Sequence, residues 1–526
     1  MYASSLLLLL LAAIVIVAAA AKRFSLPYPI AFVLGGSLLA FVPNLPAVTL
    51  DPNWIFLLFL PPLLYSGGWA TDWEAFKGNA RSIGLLAVGL VVFTTAFVGV
   101  VVHALAPGLG WAAAFVLGAI VSPPDAVAAS SVFERFSVSQ RVKAILDGEG
   151  LVNDATALVI YRFAVAAVVT GTFSASSAGL AFVGVSVGGV VLGLAFGYLL
   201  VEGTLLLRRF ELSDYQIDNA IQLLAPYAIY LTGELTHVSG VLATVTAGIF
   251  VSRQAGRIYE PEGRLVAYAV WDLLIFLLNG LVFLLIGLQL RSIVASPTFA
   301  IRELWIGLIV SALVIVLRIA WVFPGTYLPR FLSKGIRERE KAPPANAVFV
   351  VAWSGMRGIV SLAGALALPR LTASGAPFPG RDEILFITFC VIFVTLVFQG
   401  LSLIPLLDWL HITGDDIAGH EIEVRVKALR AGIARLRELE AGFASTEEWE
   451  VEGRLLGEYE YRIAHLSGHL DGTIDAQAVA FDHRLQEEAL RAERHEITQL
   501  RDSGEIPDEI YRRIQYDLDL ADERIN

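Results

Sequence analysis

The chain is expected to be an all-α, polytopic membrane protein. Thirteen transmembrane helices form two inverted repeats with broken crossing helices, and a helical cytoplasmic tail follows. Three observations carry this. Of 526 residues, 56% are hydrophobic and only 17% charged, with a mean hydropathy of +0.67, too apolar for a surface that water wets on every side. Apolar stretches of bilayer-crossing length, about 20 residues, recur as far as residue 410. The charge then shifts: residues 1–410 hold 24 Lys+Arg against 22 Asp+Glu, and residues 411–526 hold 14 against 27. The expected domains are a transmembrane domain over 1–410 and an acidic, mainly helical tail over 411–526.

The spans fall near 3–21, 27–43, 53–69, 80–105, 110–133, 141–170, 178–207, 213–236, 238–253, 263–294, 301–332, 345–371 and 381–410. The first is read as a span and not a signal peptide, because no Lys or Arg precedes SSLLLLLLAAIVIVAAAA and Lys22–Arg23 follow it. Charge sets the orientation. With the N-terminus outside, the loops left in the cytoplasm hold 17 basic residues, among them Arg81, Arg135, Arg141 and Lys341, and the external loops hold four: Arg291, Arg302, Arg370 and Arg381. That bias satisfies the positive-inside rule and puts the tail in the cytoplasm. Cys390, the only cysteine, lies in an apolar run and is expected to pack.

Two spans carry defects. In span five, AIVSPPDAVAAS places Pro123 and Pro124 where each removes a backbone donor and clashes with the preceding turn. In span twelve, VAWSGMRGIVSLAG places Ser354, Gly355 and Gly358 around Arg357. Non-helical backbone at membrane depth is tolerated where it lines a cavity or is buried in protein. Interrupted helices at corresponding places in two halves point to a transporter's binding site. With spans 1–6 and 8–13 as halves, span five corresponds to span twelve, and the odd count between them inverts the second half. Asp125 then stands at the start of a half-helix, facing a positive dipole end.

Span six reads GEGLVNDATALV over 148–159, with Glu149, Asn153 and Asp154 in a lipid-length helix. A charge at mid-bilayer costs at least ~2.5–3.5 kcal/mol, so an intramembrane acid marks a functional site. Gly150 and Asp154 share one helix face, Glu149 and Asn153 another. A monovalent cation is expected at Asp154 and Asp125, with the amide oxygen of Asn153 and backbone carbonyls around Ser122–Pro124 as further ligands. Gly150 thins the surface across which Asp154 looks at span five. Arg357 is the expected ion-pair partner of Glu149; Arg162 and Arg318, also within spans, are read as structural anchors. The acid crosses the barrier neutralised by a cation or by a proton, never both. Competition at one carboxyl is exchange, and it requires an acid that titrates in the cellular pH range. With one Asp in the Asn-Asp pair, the expected exchange is one-for-one and electroneutral.

EGLVNDATALV, SPPDAVAA and SGMRGIVSLA, in this order, resemble the bacterial sodium/proton antiporters of the monovalent cation/proton antiporter-1 family; LPPLLYSGGW in span three extends the likeness over about residues 1–410. The resemblance implies the inverted-repeat, NhaA-like antiporter fold, a homodimer in the bacterial plasma membrane, and a core domain that moves like an elevator. It implies Na+/H+ exchange that regulates internal pH and Na+, with no cofactor beyond the transported ions. By position, Asn153 and Asp154 match the ion-site pair, Glu149 and Arg357 its stabilising ion pair, and Asp125 the Asp of the unwound helix. Ser66 and Asp147 are expected along the ion path. Three departures stand out: Pro124-Asp125-Ala126 where many members have Thr-Asp-Pro, Gly150 where serine is frequent, and Ser66 where some carry Glu. Each removes an oxygen or a charge, which leaves Na+ against K+ or Li+ open.

The tail shows helical periodicity in EIEVRVKALRAGIARLRELEAG and a capping start at Ser445–Thr446 followed by Glu447 and Glu448. Six of eight histidines lie there, from His411 to His495, with no convincing metal spacing. Asp214, Asp218, Glu234 and Asp272, in or near spans, are expected at interfaces. Nothing in the composition indicates a nucleic-acid partner. A membrane aspartyl protease built on Asp125 and Asp154 would want a GxGD context, which is absent; a sensor acting through the tail, or a K+/H+ antiporter of the same fold, are the other readings.

Overall fold

The computed structural model describes the chain except residues 1, 44–54, 134–135, 137, 173, 295–300, 341, 411–416, 440–444, 472–475, 504 and 526. Arg135, Lys341 and His411 therefore lie outside the described residues. Leaving aside short helical turns such as Trp73–Gly78, Ala255–Ile258 and Lys334–Arg339, the longer helices of residues 1–410, in chain order, are α1 (Tyr2–Arg23), α2 (Tyr28–Leu39), α3 (Phe56–Ala70), α4 (Ala80–Leu105), α5a (Gly110–Val121), α5b (Ala126–Phe133), α6 (Gln140–Thr170), α7 (Ala175–Arg209), α8 (Tyr215–Leu235), α9 (Gly240–Arg253), α10 (Pro261–Val294), α11 (Ile301–Leu332), α12a (Ala345–Trp353), α12b (Ile359–Leu366) and α13 (Arg381–Leu410). Eight candidates in the described chain are long and apolar enough to cross a membrane: the stretch Leu6–Arg23 of α1, α4, the broken helix Pro107–Phe133, α6, α7, α10, α11 and α13. Helices α2, α3 and α9 are apolar but shorter.

Both expected breaks are present. Pro123–Pro124 separates α5a from α5b, and residues 354–358 separate α12a from α12b. The two gaps cross: the Asp125 N–H donates to the Met356 carbonyl at 2.7 Å. Each unwound stretch thereby satisfies part of the other's backbone, which hydrocarbon would leave unpaired.

Within residues 1–415, which form one compact unit, the helices sort into two bundles. Helices α1–α3 pack with α7–α10, and α4–α6 pack with α11–α13. The cluster of Val116, Leu117, Val310, Val314 and Ile387 fills the second bundle between α5a, α11 and α13. A smaller cluster joins the bundles: Leu60 and Leu64 of α3, Leu151 and Ala155 of α6, Tyr230 of α8, Val241 and Val245 of α9. Packing of this kind, and not hydrophobic transfer, holds helices together in lipid.

Residues 416–526 form the second compact unit. Four helices build it: α14 (Ile417–Leu439), α15 (Thr446–Asp471), α16 (Ala476–Asp502) and α17 (Asp508–Ile525). The capping start at Ser445 is a reciprocal box. The Glu448 N–H donates to Ser445 Oγ at 3.2 Å, and the Ser445 N–H to Glu448 Oε2 at 2.9 Å. Leu490, Ile497 and Leu518 form a small core between α16 and α17.

Candidate functional site

Proline chemistry at 123–124 ends α5a and frees the next residues to point inward. Asp125 then caps α5b, its Oδ1 accepting the Val127 N–H at 2.9 Å. The N–H groups of Ala128 and of Ile359, at the start of α12b, also face this carboxylate. Two half-helix N-termini thus converge on one acid, where their dipoles offset its charge. The approach demands glycine at 358: a Cβ there would collide with Asp125 Oδ2.

Helix α6 runs past this crossing. Asn153 is fully buried and its Nδ2 donates to the Pro124 carbonyl at 2.8 Å, tying α6 to the break. Asp154 is half-buried, and Asp125 is its charged neighbour. Gly150 lies so close to Ala126 that any Cβ at 150 would overlap the Ala126 methyl. Gly150 is therefore matched to the Ala126 side chain at the start of α5b.

A cavity of ≈ 830 Å³ opens between the two bundles. One wall carries Asp125, Asp147, Gly150 and Asp154; Ser66 of α3 and Asp272 of α10 face it from the other. The cavity reaches Lys143 on the first turn of α6 and Ser252 at the end of α9, so its mouth lies where α6 begins. Asp147 is held by the Ser130 hydroxyl at 2.9 Å, and the Ser66 hydroxyl donates to the Leu63 carbonyl at 3.0 Å. Asn153 Oδ1 and Asp125 Oδ2 are buried oxygens with no hydrogen-bond partner among the described residues. Such acceptors beside a carboxylate suit a hard monovalent cation. Ser122 is set back: it is fully buried, outside the cavity wall, and its hydroxyl donates to Ala119 of its own helix at 3.0 Å.

The expected Glu149–Arg357 ion pair is not what forms. Glu149 pairs in bidentate fashion with Arg318 of α11, Nη1–Oε1 2.5 Å and Nη2–Oε2 2.8 Å, both residues 1% exposed. Arg318 also donates from Nε and Nη2 to the Val351 carbonyl at 3.2 and 3.1 Å, covering the open end of α12a. Arg318 thus serves both the Glu149 carboxylate and the exposed carbonyl end of the break. Packing decides this: the Arg318 stem runs against Gly355, where a Cβ would strike its Cδ. Arg357 stays fully buried in the break with its backbone N–H on Thr395 Oγ1 at 3.0 Å, and its guanidinium has no hydrogen-bond partner among the described residues. Arg318 and Glu149 are its charged neighbours. The signal for Arg318 was a full charge in the uninterrupted apolar run LVIVLRIAWVF.

The other acids near spans have partners or faces of their own. Asp214 caps α8 through the N–H groups of Gln216 and Ile217, both at 2.9 Å. Asp218 pairs with Arg208 and accepts the Ser213 hydroxyl at 2.6 Å. Glu234 pairs with Arg162 at 2.6 Å.

Crossed broken helices, buried carboxylates and a cavity between two bundles are the parts of an ion transporter. The chain belongs to the transmembrane sodium/hydrogen exchanger family, whose model matches residues 8–409. It is 33% identical over 523 residues to an uncharacterised Na+/H+ exchanger of Escherichia coli strain K12, covering 95% of this chain and 94% of that one. It is 31% identical over 497 residues to a sodium, potassium, lithium and rubidium/H+ antiporter of Bacillus subtilis strain 168, covering 93% and 73%. The fold is similar to that of the sodium proton antiporter MjNhaP1 of Methanocaldococcus jannaschii, with TM-score 0.59 and 18% identity over 78% of this chain and 99% of that one.

Proposed function

We propose that this protein exchanges Na+ for H+ across the bacterial plasma membrane, one for one, by competition of cation and proton at Asp154. The observation that carries the reading is the placement of Asp154 and Asp125 on the wall of the cavity between two helix bundles, at the crossing of two broken helices. Backbone donors from two half-helices offset the charge on Asp125. Asp154 then remains as the carboxyl that must be neutralised, by a cation in one direction and a proton in the other. This supports electroneutral stoichiometry.

The division into two bundles supports alternating access. The bundle of α4–α6 and α11–α13 carries the site and moves like an elevator against α1–α3 and α7–α10. Thirteen crossings in two inverted repeats, the N-terminus outside and residues 411–526 in the cytoplasm complete the reading, with a homodimer as the assembly and control of internal pH and Na+ as the role. In this orientation the cavity mouth faces the cytoplasm. The Bacillus subtilis relative, named for four alkali cations, favours a second reading in which K+, Li+ and Rb+ share the site with Na+; Pro124 and Gly150, which supply no side-chain oxygen, agree with it.

Proteoliposomes with a pH-sensitive dye decide both. Na+ is expected to collapse an imposed proton gradient at a rate that is the same with the membrane potential clamped or free. A rate that follows the potential contradicts one-for-one exchange, and a panel of Na+, K+, Li+ and Rb+ ranks the cargo.

A further inference from the structure

We infer that Arg162 and Glu234 form a latch that holds the closed side of the transport cavity and must part in each cycle. The inference rests on the exchange reading above. Arg162 Nη2 meets Glu234 Oε2 at 2.6 Å. Arg162 belongs to α6, in the bundle that carries Asp154, and Glu234 to the last turn of α8, in the other bundle. Among the ion pairs formed by described residues, this one alone joins the two bundles; the rest lie within one bundle or within the tail.

Its position gives it meaning. The cavity occupies the stretch of α6 from Lys143 to Asp154. Arg162 lies eight residues further on, about 12 Å along the helix axis, on the side away from the mouth. Between Asp154 and Arg162, Leu158 packs into the inter-bundle cluster of Leu64, Ala155, Tyr230 and Val241. Apolar packing thus seals the far side, and the ion pair ties its rim. Tyr230, one turn before Glu234, flanks both charged groups. Side chains 50% and 33% exposed place the pair at the edge of the seal and not in its core. A pair of that exposure is a weak bond. Weakness suits a latch: the populations of two bundle arrangements shift by only the differential stability of the contact.

The residues act through bundle position and not on the ion, so the readout is conformational. Cys390, the only native thiol, is buried, and a reporter Leu158→Cys can be labelled by a membrane-impermeant maleimide from either face of oriented vesicles. In the parent, labelling from the face opposite the cavity mouth is slow. Arg162→Gln and Glu234→Gln are each expected to raise it about 3–10-fold. The charge swap Arg162→Glu with Glu234→Arg is expected to return labelling to the parent rate. Unchanged labelling in both single variants overturns the latch, as does a swap no better than either single. Exchange assayed in the same vesicles separates the two claims: a parent without Na+/H+ exchange overturns the transport reading, whereas the labelling alone decides the latch.

Discussion

Asp154→Asn is expected to reduce Na+-driven proton flux to that of protein-free vesicles while leaving the fold intact. Asparagine keeps the shape of the side chain and removes its proton and its charge. The carrier bundle is then neutral whether or not a cation is near, so neither ion is required for it to cross and neither is carried. The surroundings argue that no other group substitutes. Asn153 is pinned to the Pro124 carbonyl, and Asp125 is engaged by the start of α5b. Loss of a half-buried carboxylate lifts a desolvation cost, so the variant should melt at a higher temperature than the parent. A variant that melts higher and transports nothing identifies Asp154 with the chemistry; one that still exchanges removes Asp154 from it.

Glu149→Gln should destabilise the protein more than Arg318→Leu. Breaking a buried ion pair by removing one partner costs about 3–5 kcal/mol, because the other charge stays behind. Here the bookkeeping is uneven. Glu149 stands among two fully buried arginines, Arg318 in direct contact and Arg357 without a hydrogen-bond partner among the described residues. Glu149→Gln leaves two guanidinium groups facing one another. Arg318→Leu leaves one carboxylate and one guanidinium, and Arg357 no longer shares its counter-charge with a second arginine. Thermal melts in detergent compare the two directly. An equal or reversed order would mean that Arg357 is not electrostatically coupled to the pair.

Much of this architecture was legible in the sequence, for local reasons. Prolines at 123 and 124 and glycines at 355 and 358 disrupt a helix wherever they stand, and the breaks fall there. Asn153 and Asp154 announced themselves by being polar in an apolar stretch, and the start of α15 by the Ser445–Glu448 box. What stayed hidden depends on packing across distant segments. The Glu149 partner lies 169 residues away, and the choice of Arg357 over Arg318 is overturned only by knowing that Gly355 clears a path for the Arg318 stem. The separation into two bundles was equally silent, because apolar periodicity does not state which helix faces which.

Cation affinity as a function of pH, measured on the purified protein by calorimetry, tests the competition at Asp154 most directly. Below the pH at which the site takes up its proton, the apparent Kd for Na+ should rise about tenfold per unit of falling pH, with about one proton released per ion bound; above it the Kd should level off and proton release should vanish. A Kd that stays constant from pH 5 to 9, with no proton released, would contradict a shared carboxyl and with it the proposed exchange.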